Sequence, residues 1–166
     1  MTRPVATIRP ATAADIDWLA GEERRGDFAA FIHRWPAEQH ARNLADPDKR
    51  YLIADDAAGQ RTAFVILAGL CSEPRDIELV RMAVTPPGAG IGKLVLTTVI
   101  DMTFDEFGAE RLWLDVFADN ARARRVYGAV GFREADVPRQ SALKADGQPG
   151  SLVIMSILAA HYRGSL

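Results

Sequence analysis

Along this chain, stretches in which apolar residues alternate with polar ones give way to stretches in which they recur every three or four positions, and the exchanges mark the elements. Val5-Ala6-Thr7-Ile8-Arg9 alternates and stops at Pro10, which predicts a first strand. Thr12 and Asp15 then offer caps for a helix carrying Ile16, Leu19 and Ala20, with Trp18 alongside. Gly26 and Asp27 break that helix; a second follows Pro36, runs through His40 and Leu44, and ends before Asp46-Pro47. Residues 50–54 and 62–70 predict consecutive antiparallel strands joined by the polar turn Asp55-Asp56-Ala57-Ala58-Gly59-Gln60.

A further strand begins at Asp76. Its body, Ile77-Glu78-Leu79-Val80-Arg81-Met82-Ala83-Val84, is apolar with β-branched residues and is closed by two prolines. Beyond Thr85-Pro86-Pro87-Gly88-Ala89-Gly90-Ile91-Gly92-Lys93, the residues Leu94, Val95, Thr98, Val99, Met102 and Phe107 recur at helical spacing, so the glycines join a strand to a helix N-terminus. Downstream come a strand over 112–117, a helix over 120–130, a strand over 132–137 and a terminal strand over 152–158. The polar, glycine- and proline-bearing stretch 138–150 reads as a mobile loop on the substrate side. This order predicts an α+β fold, mainly one mixed sheet, in a single domain spanning 1–166.

The glycine-rich junction is built for an anion. Glycines at alternate positions, Gly88, Gly90 and Gly92, let the backbone approach a ligand closely, while the first free N–H groups of the helix and its dipole face negative charge. A phosphate or pyrophosphate suits it, and on this reading neither Gly90 nor Gly92 tolerates a side chain. The spacing excludes two nucleotide folds. A P-loop needs Gly-Lys-Ser/Thr, but Lys93 precedes Leu94; a Rossmann turn needs Gly-x-Gly-x-x-Gly, but Gly88-Ala89-Gly90 precedes Ile91-Gly92-Lys93.

What the stretch resembles is the acyl-CoA site of the GNAT superfamily of N-acetyltransferases. The family's Arg or Gln, two residues, Gly, one residue, Gly or Ala falls on Pro87, Gly90 and Gly92, with Pro87 a departure that removes a side chain and an N–H. Arg111-Leu112-Trp113-Leu114-Asp115-Val116, then Asn120-Ala121-Arg122-Ala123, then Val126-Tyr127-Gly128-Ala129-Val130-Gly131-Phe132 match the family's next strand, helix and turn in order. The close match covers about a third of the chain, and the N-terminal part matches in layout. The resemblance implies a mostly antiparallel central sheet splayed at the acyl-CoA site and flanked by helices. It also implies acetyl-CoA as acyl donor, direct transfer to a primary amine of a small molecule or peptide, and a helix pair before residue 46 forming the acceptor wall. Two rivals are a CoA-binding module without catalysis and a nucleotide-binding regulator using the same anion site.

Composition narrows the partners. The 166 residues are 48% hydrophobic with a formal charge of -2 and no basic block, which argues against nucleic acid or an anionic membrane as main partner. The longest apolar runs fall far short of a membrane span, and Met1 to Pro10 lack a signal-peptide core, so the expected compartment is the cytoplasm. Cys71 is the one cysteine, without the His context of a nucleophile, and reads as a small buried hydrophobe. His33, His40 and His161 lack metal-ligand spacing, and no metal is expected. An exposed apolar strand at 152–158 would suit a homodimer.

Acetyl transfer needs a deprotonated amine, a stabilised oxyanion and a proton for the leaving thiolate. Glu78 is the one acidic residue inside the strand 77–84, where burial would raise its pKa toward that of a general base; the bland alternative pairs it with Arg75 or Arg81. In the family this is one position of the base. Tyr127 lies two turns beyond Asn120 on one helix, so the two share a face; the family places this tyrosine at the thioester sulfur as general acid, whereas a core tyrosine would give its hydroxyl to a backbone partner. Asn120 caps its helix, binds the pantetheine arm, or does both. Met82 and Val84 would pair with pantetheine through their backbones, as in the family, and Gly88, Ala89, Gly90, Ile91, Gly92 and Lys93 would hold the pyrophosphate. Arg122, Arg124 and Arg125 either reach the CoA phosphates, with Arg122 and Arg125 preferred, or form a solvated face. Trp35 and Asp115 either line the acceptor pocket or serve as an aromatic staple and a sheet carboxylate.

Overall fold

A computed structural model describes residues 5–25, 34–85 and 90–164, and its eight strands form one sheet. Strands β1 (Val5–Pro10), β2 (Lys49–Asp56), β3 (Arg61–Ala68) and β4 (Asp76–Val84) run antiparallel in chain order. β5 (Arg111–Phe117) pairs parallel with β4, and β8 (Pro149–Leu158) pairs antiparallel with β5. On the far side of β8 lie β6 (Arg133–Glu134) and β7 (Gln140–Leu143). The helices are α1 (Ile16–Glu22), α2 (Ala37–Leu44), α3 (Ile91–Asp101), α4 (Ala121–Ala129) and α5 (Ala159–Arg163). This is the mixed, mostly antiparallel α+β architecture expected. None of these helices is long and apolar enough to cross a membrane.

Alternation along each strand sorts the apolar residues onto two faces. Leu52, Val65, Leu67, Ile77, Leu79, Leu112, Leu114, Val153 and Ile157 meet Val95, Leu96 and Val99 of α3 on one face, with Ala123, Val126 and Tyr127 of α4 packed beside them. Tyr51, Ile53, Phe64, Ile66 and Ala83 meet Leu19 of α1 on the other, together with Trp18, Trp35 and Leu44. β3 is buried along most of its length because helices cover both of its faces, which explains its near-continuous apolar run.

Several expectations need correction. The stretch 138–150 is not a simple loop: β7 pairs Gln140 with Leu152 and Leu143 with Pro149. The strand expected over 132–137 shortens to Arg133–Glu134. The apolar strand 152–158 is not an edge, because β5 flanks it on one side and β6 and β7 on the other, so the argument for a partner copy covering it lapses. Cys71 is exposed rather than buried. The helix expected as far as Phe107 instead widens into a π turn at Met102–Glu106.

β4 carries one irregularity that matters for everything below. Ile66 pairs with Arg81 and Leu67 with Leu79, so Val80 is an extra residue without its own partner on β3. The bulge reverses the alternation. Ile77 and Leu79 face α3, Val80 and Ala83 face α1, and Met82 returns to the α3 side. Arg81 consequently projects under α1 and α2, where its guanidinium lies 3.9 Å from the Trp35 ring centroid and pairs with Glu23.

Glu23 and His40 are fully buried. His40 Nε2 lies 3.1 Å from Glu23 Oε2, His40 Nδ1 lies 2.9 Å from the Tyr51 hydroxyl, and the Trp35 N–H donates to Glu23 over 3.1 Å. Burial opposes the charge of Glu23, but the hydrogen bonds of His40 and Trp35 and the charge of Arg81 outweigh it and hold the carboxyl below the ordinary glutamate range. The contribution of this ionised group to stability is therefore full above the ordinary glutamate pKa and is lost as pH falls through the depressed one. Glu23→Gln leaves the Arg81 guanidinium buried without its counter-charge. We expect a loss of about 3–5 kcal/mol, read as a lower urea midpoint with an unchanged slope.

Candidate active site

The β4–β5 ladder is short. Asp76 pairs with Arg111, Ile77 with Leu112 and Glu78 with Trp113; beyond these the two strands part, and the chain of β5 continues on β8 alone. On its other edge β4 stays bonded to β3, with the Thr85 N–H donating to the Thr62 carbonyl over 2.7 Å and Ala83 opposite Phe64. Antiparallel pairing alternates bonded and non-bonded residues, so the N–H and C=O groups of Met82 and Val84 point away from β3, into the opening. The sheet thus presents the Met82 N–H and C=O and the Val84 N–H along one wall of a wedge, whereas the Val84 carbonyl accepts from Arg25.

The head of the wedge is the start of α3. Gly90 is its N-cap with φ +75°, a left-handed conformation that favours glycine, and no side chain caps the N–H groups of Ile91, Gly92 and Lys93. These amides are free to hold an anion. Pro87, Gly88 and Ala89 lie outside the described residues. Gly92 corrects one expectation: its backbone is ordinary, and a Cβ there would meet Val84 Cγ2 at 3.5 Å and Met82 Cε at 3.8 Å, which are normal contacts. Lys93 is exposed beside the same turn.

Sequence reasoning missed a cation at the end of β4. Arg25, just beyond α1, donates from Nη1 to the Val84 carbonyl over 3.0 Å, meets Glu22 Oε2 at 2.6 Å and contacts the Thr85 hydroxyl. Its separation from Val84 by 59 residues left no local signal. Of the arginines on α4, Arg124 is committed to the Ala118 carbonyl at 2.8 Å and to Glu134 at 3.1 Å, while Arg122 and Arg125 are exposed. Asn120 does cap α4, its Oδ1 accepting from the Ala123 N–H over 3.2 Å, which leaves its amide group free to act elsewhere.

Three titratable groups gather where the strands part. Glu78 is half-buried, and Arg81 and Arg75 have other partners: Arg81 takes Glu23 and Arg75 donates to the Phe107 carbonyl. The bland pairing for Glu78 is thereby removed. Burial pushes its pKa up, and the charge of Asp115 pushes it further. Asp115, two residues beyond Trp113 on the same face of β5, is open to the cleft yet crowded enough that desolvation raises its own pKa. Tyr127 approaches from the α3 side, its ring 5.7 Å from that of Phe132, and burial followed by the Asp115 charge pushes its hydroxyl up to about 12. Its ring packs against the core, while among the described residues its hydroxyl has no hydrogen-bond partner. Trp35, by contrast, is a packing residue under Arg81.

The sequence profile of the Acetyltransferase (GNAT) family matches residues 15–132. The [ribosomal protein bS18]-alanine N-acetyltransferase of Salmonella typhimurium is 30% identical over 131 residues, which span 72% of this chain and 86% of that protein. Its Escherichia coli K12 counterpart is 28% identical over 122 residues, 72% of this chain and 78% of that one. Among solved structures, spermidine N-acetyltransferase from Vibrio cholerae in complex with CoA and spermine superposes with a TM-score of 0.84 over 95% of this chain and 97% of that chain, at 18% identity, a likeness of fold.

The two glycines now separate. Gly90→Val forces a β-branched residue to a positive φ at the anion site, and acetyl-CoA affinity should fall about tenfold or more, the equivalent of the 1–2 kcal/mol that left-handed backbone costs. Gly92→Ala should bind acetyl-CoA nearly as the parent does. Calorimetric titration of both variants checks the pair, and wild-type affinity in Gly90→Val would count against the turn as the phosphate site.

Proposed function

The chain belongs to the GNAT family of acetyltransferases, and on that premise we propose how its own residues move an acetyl group from acetyl-CoA to a primary amine. The observation that carries the reading is the parting of β4 from β5 at Glu78 and Trp113, with Glu78, Asp115 and Tyr127 coupled around it. Acetyl-CoA, as co-substrate, supplies a thioester whose acyl carbon is open to attack. The free amides at Ile91, Gly92 and Lys93 take its pyrophosphate, aided by Arg25, and Met82 and Val84 take the amide arm through their backbones as a further strand would. Asn120 adds the free end of its side chain.

The two faces of the sheet divide the proton transfers. Glu78, Trp113 and Asp115 share the face of α1 and α2, so the amine enters there, and Glu78 accepts its proton directly or through one water. As the N–C bond forms, the Met82 N–H faces the developing oxyanion. As the C–S bond breaks, the Tyr127 hydroxyl on the opposite face, still protonated at neutral pH, gives its proton to the thiolate. Proton and acyl group are then both accounted for: amine to amide, thioester to thiol. The relatives act on a ribosomal-protein alanine and on spermidine, so either a chain terminus or a small molecule fits as the acceptor.

Tyr127→Phe keeps the ring and deletes the donor. Its acetyl-CoA affinity should change little while kcat falls about 10²-fold or more, followed as CoA release with an identified amine; an unchanged rate would make Tyr127 a packing residue.

Asp115→Asn removes a negative charge that raises the pKa of Glu78. The acid limb of kcat/KM, which reports deprotonation of the base, should therefore move to lower pH while staying above the ordinary glutamate position, because burial is the larger cause. A full pH profile of the variant reads this. If the limb stays in place, Glu78 is not the group that titrates in it.

A further inference from the structure

The acceptor face extends beyond the acidic pair. α1 and α2 cover β2, β3 and β4 there, and among the described residues β5 and β8 are left open on that side. The segment 135–140 rises along the far edge of β8. Between them lies a cavity of about 440 Å³, floored by Trp113 and Ile154, walled by Val137 and Pro138, and rimmed by Arg111 and Arg139. Glu78 and Asp115 do not line it, but its floor neighbours both across the sheet. Trp113 is the ladder partner of Glu78, and Ile154 is the ladder partner of Asp115.

Its chemistry discriminates among amines. The floor and wall are apolar and incompletely buried: Trp113 and Ile154 are half-buried and Val137 is 51% exposed, an arrangement that a flat apolar group would cover. The rim offers no carboxylate to a second ammonium. Arg111, whose guanidinium lies 5.6 Å from the Trp113 ring centroid, is held by Asp76 through two hydrogen bonds of 2.8 and 2.7 Å, and Arg139 by Glu134 at 3.5 Å; with Gln140 they make the polar lining, which contains guanidinium and amide and no carboxylate. A polyamine would carry its second charge from the acidic pair into this rim. A monocation would leave only uncharged surface there.

We propose that the acceptor is a primary amine bearing a single positive charge, joined by a short linker to an aromatic or bulky apolar body that lies on Trp113 and Ile154, and that polyamines are disfavoured. The ammonium sits between Glu78 and Asp115, where two carboxylates of raised pKa gain from a neighbouring cation. The body stacks on the Trp113 indole. This specificity rests on the acyl transfer proposed above. The same chemistry occurs in a free arylalkylamine and in a peptide whose first residue is aromatic, and the test separates the two.

The assay compares 2-phenylethylamine, a short neutral peptide amide beginning with Phe, and spermidine as acceptors with saturating acetyl-CoA. At least one aromatic amine should exceed spermidine in kcat/KM by about tenfold or more, and the better of the two identifies the source. Trp113→Ala should raise KM for that acceptor about tenfold with kcat changed about twofold at most. Trp113→Phe, which retains an aromatic floor and guards against a folding defect, should recover most of the loss. Preference for spermidine, or an aromatic KM indifferent to both variants, would overturn the proposal while leaving acetyl transfer intact. Titration of 2-phenylethylamine into the CoA-bound protein, followed by tryptophan fluorescence, separates the two layers. Saturable quenching without turnover would support the pocket and count against catalysis; neither quenching nor turnover would sink both.

Discussion

Val80 gives β4 one residue more than β3 can pair, and a strand with such an excess must twist and bend locally. The bend coincides with the end of the parallel ladder to β5 at Glu78 and Trp113. It also turns Arg81 inward, to a carboxylate that is itself fully buried, and that carboxylate accepts the Trp35 N–H on the far side of the segment joining α1 to α2. One irregularity thus sits where the β4–β5 ladder ends and, through Arg81 and Glu23, ties the end of α1 to Trp35 ahead of α2. Removing the ion pair would cost more than packing, since a lone guanidinium would be left in a dry interior.

The carboxylates of this protein fall into two kinds by the company they keep. Asp15 is nearly inaccessible but held by Arg9 and Arg61, Glu23 is held by Arg81, and Asp76 is held by Arg111; each of these anions meets a guanidinium. Among the described residues Glu78 and Asp115 meet none: burial raises the pKa of both, and the charge of Asp115 raises that of Glu78 further. Holding an acid in a crowded place without a counter-charge gains nothing for folding, and that is why the proposed mechanism is built on this pair. Tyr127 fits the same description. Its hydroxyl is crowded, unsatisfied among the described residues and coupled to Asp115.

Legibility followed the range of the interaction. The strand, glycine turn and helix over 76–101 and the strand, helix and turn over 111–132 were readable, because each is written in adjacent residues whose period or φ requirement is local. The bulge was not. Val80-Arg81 looks like any apolar–polar step, and only the register with β3 exposes the extra residue. The buried cluster of Glu23, His40, Tyr51 and Arg81 joins four elements, and in the sequence its members read as a scattered glutamate, histidine, tyrosine and arginine. β7 was missed for a related reason: Gln140 to Leu143 has little intrinsic strand character and owes its form to the edge that β8 offers. Asp115 was seen but undervalued, since its weight comes from Glu78 and Tyr127, which approach it from other elements.

On the proposed assignment, an acid and a base on opposite faces require the sheet to be open. A continuous β4–β5 ladder would separate Glu78 from Tyr127 by a layer of paired backbone, and a proton leaving the amine on one face could not be balanced by one reaching sulfur on the other. Parting the strands replaces that layer with the reacting bond itself. On the same proposal the Met82 and Val84 N–H groups at its edge bind what a further strand would have bound, so the energy of an interrupted sheet becomes the affinity for the acyl donor.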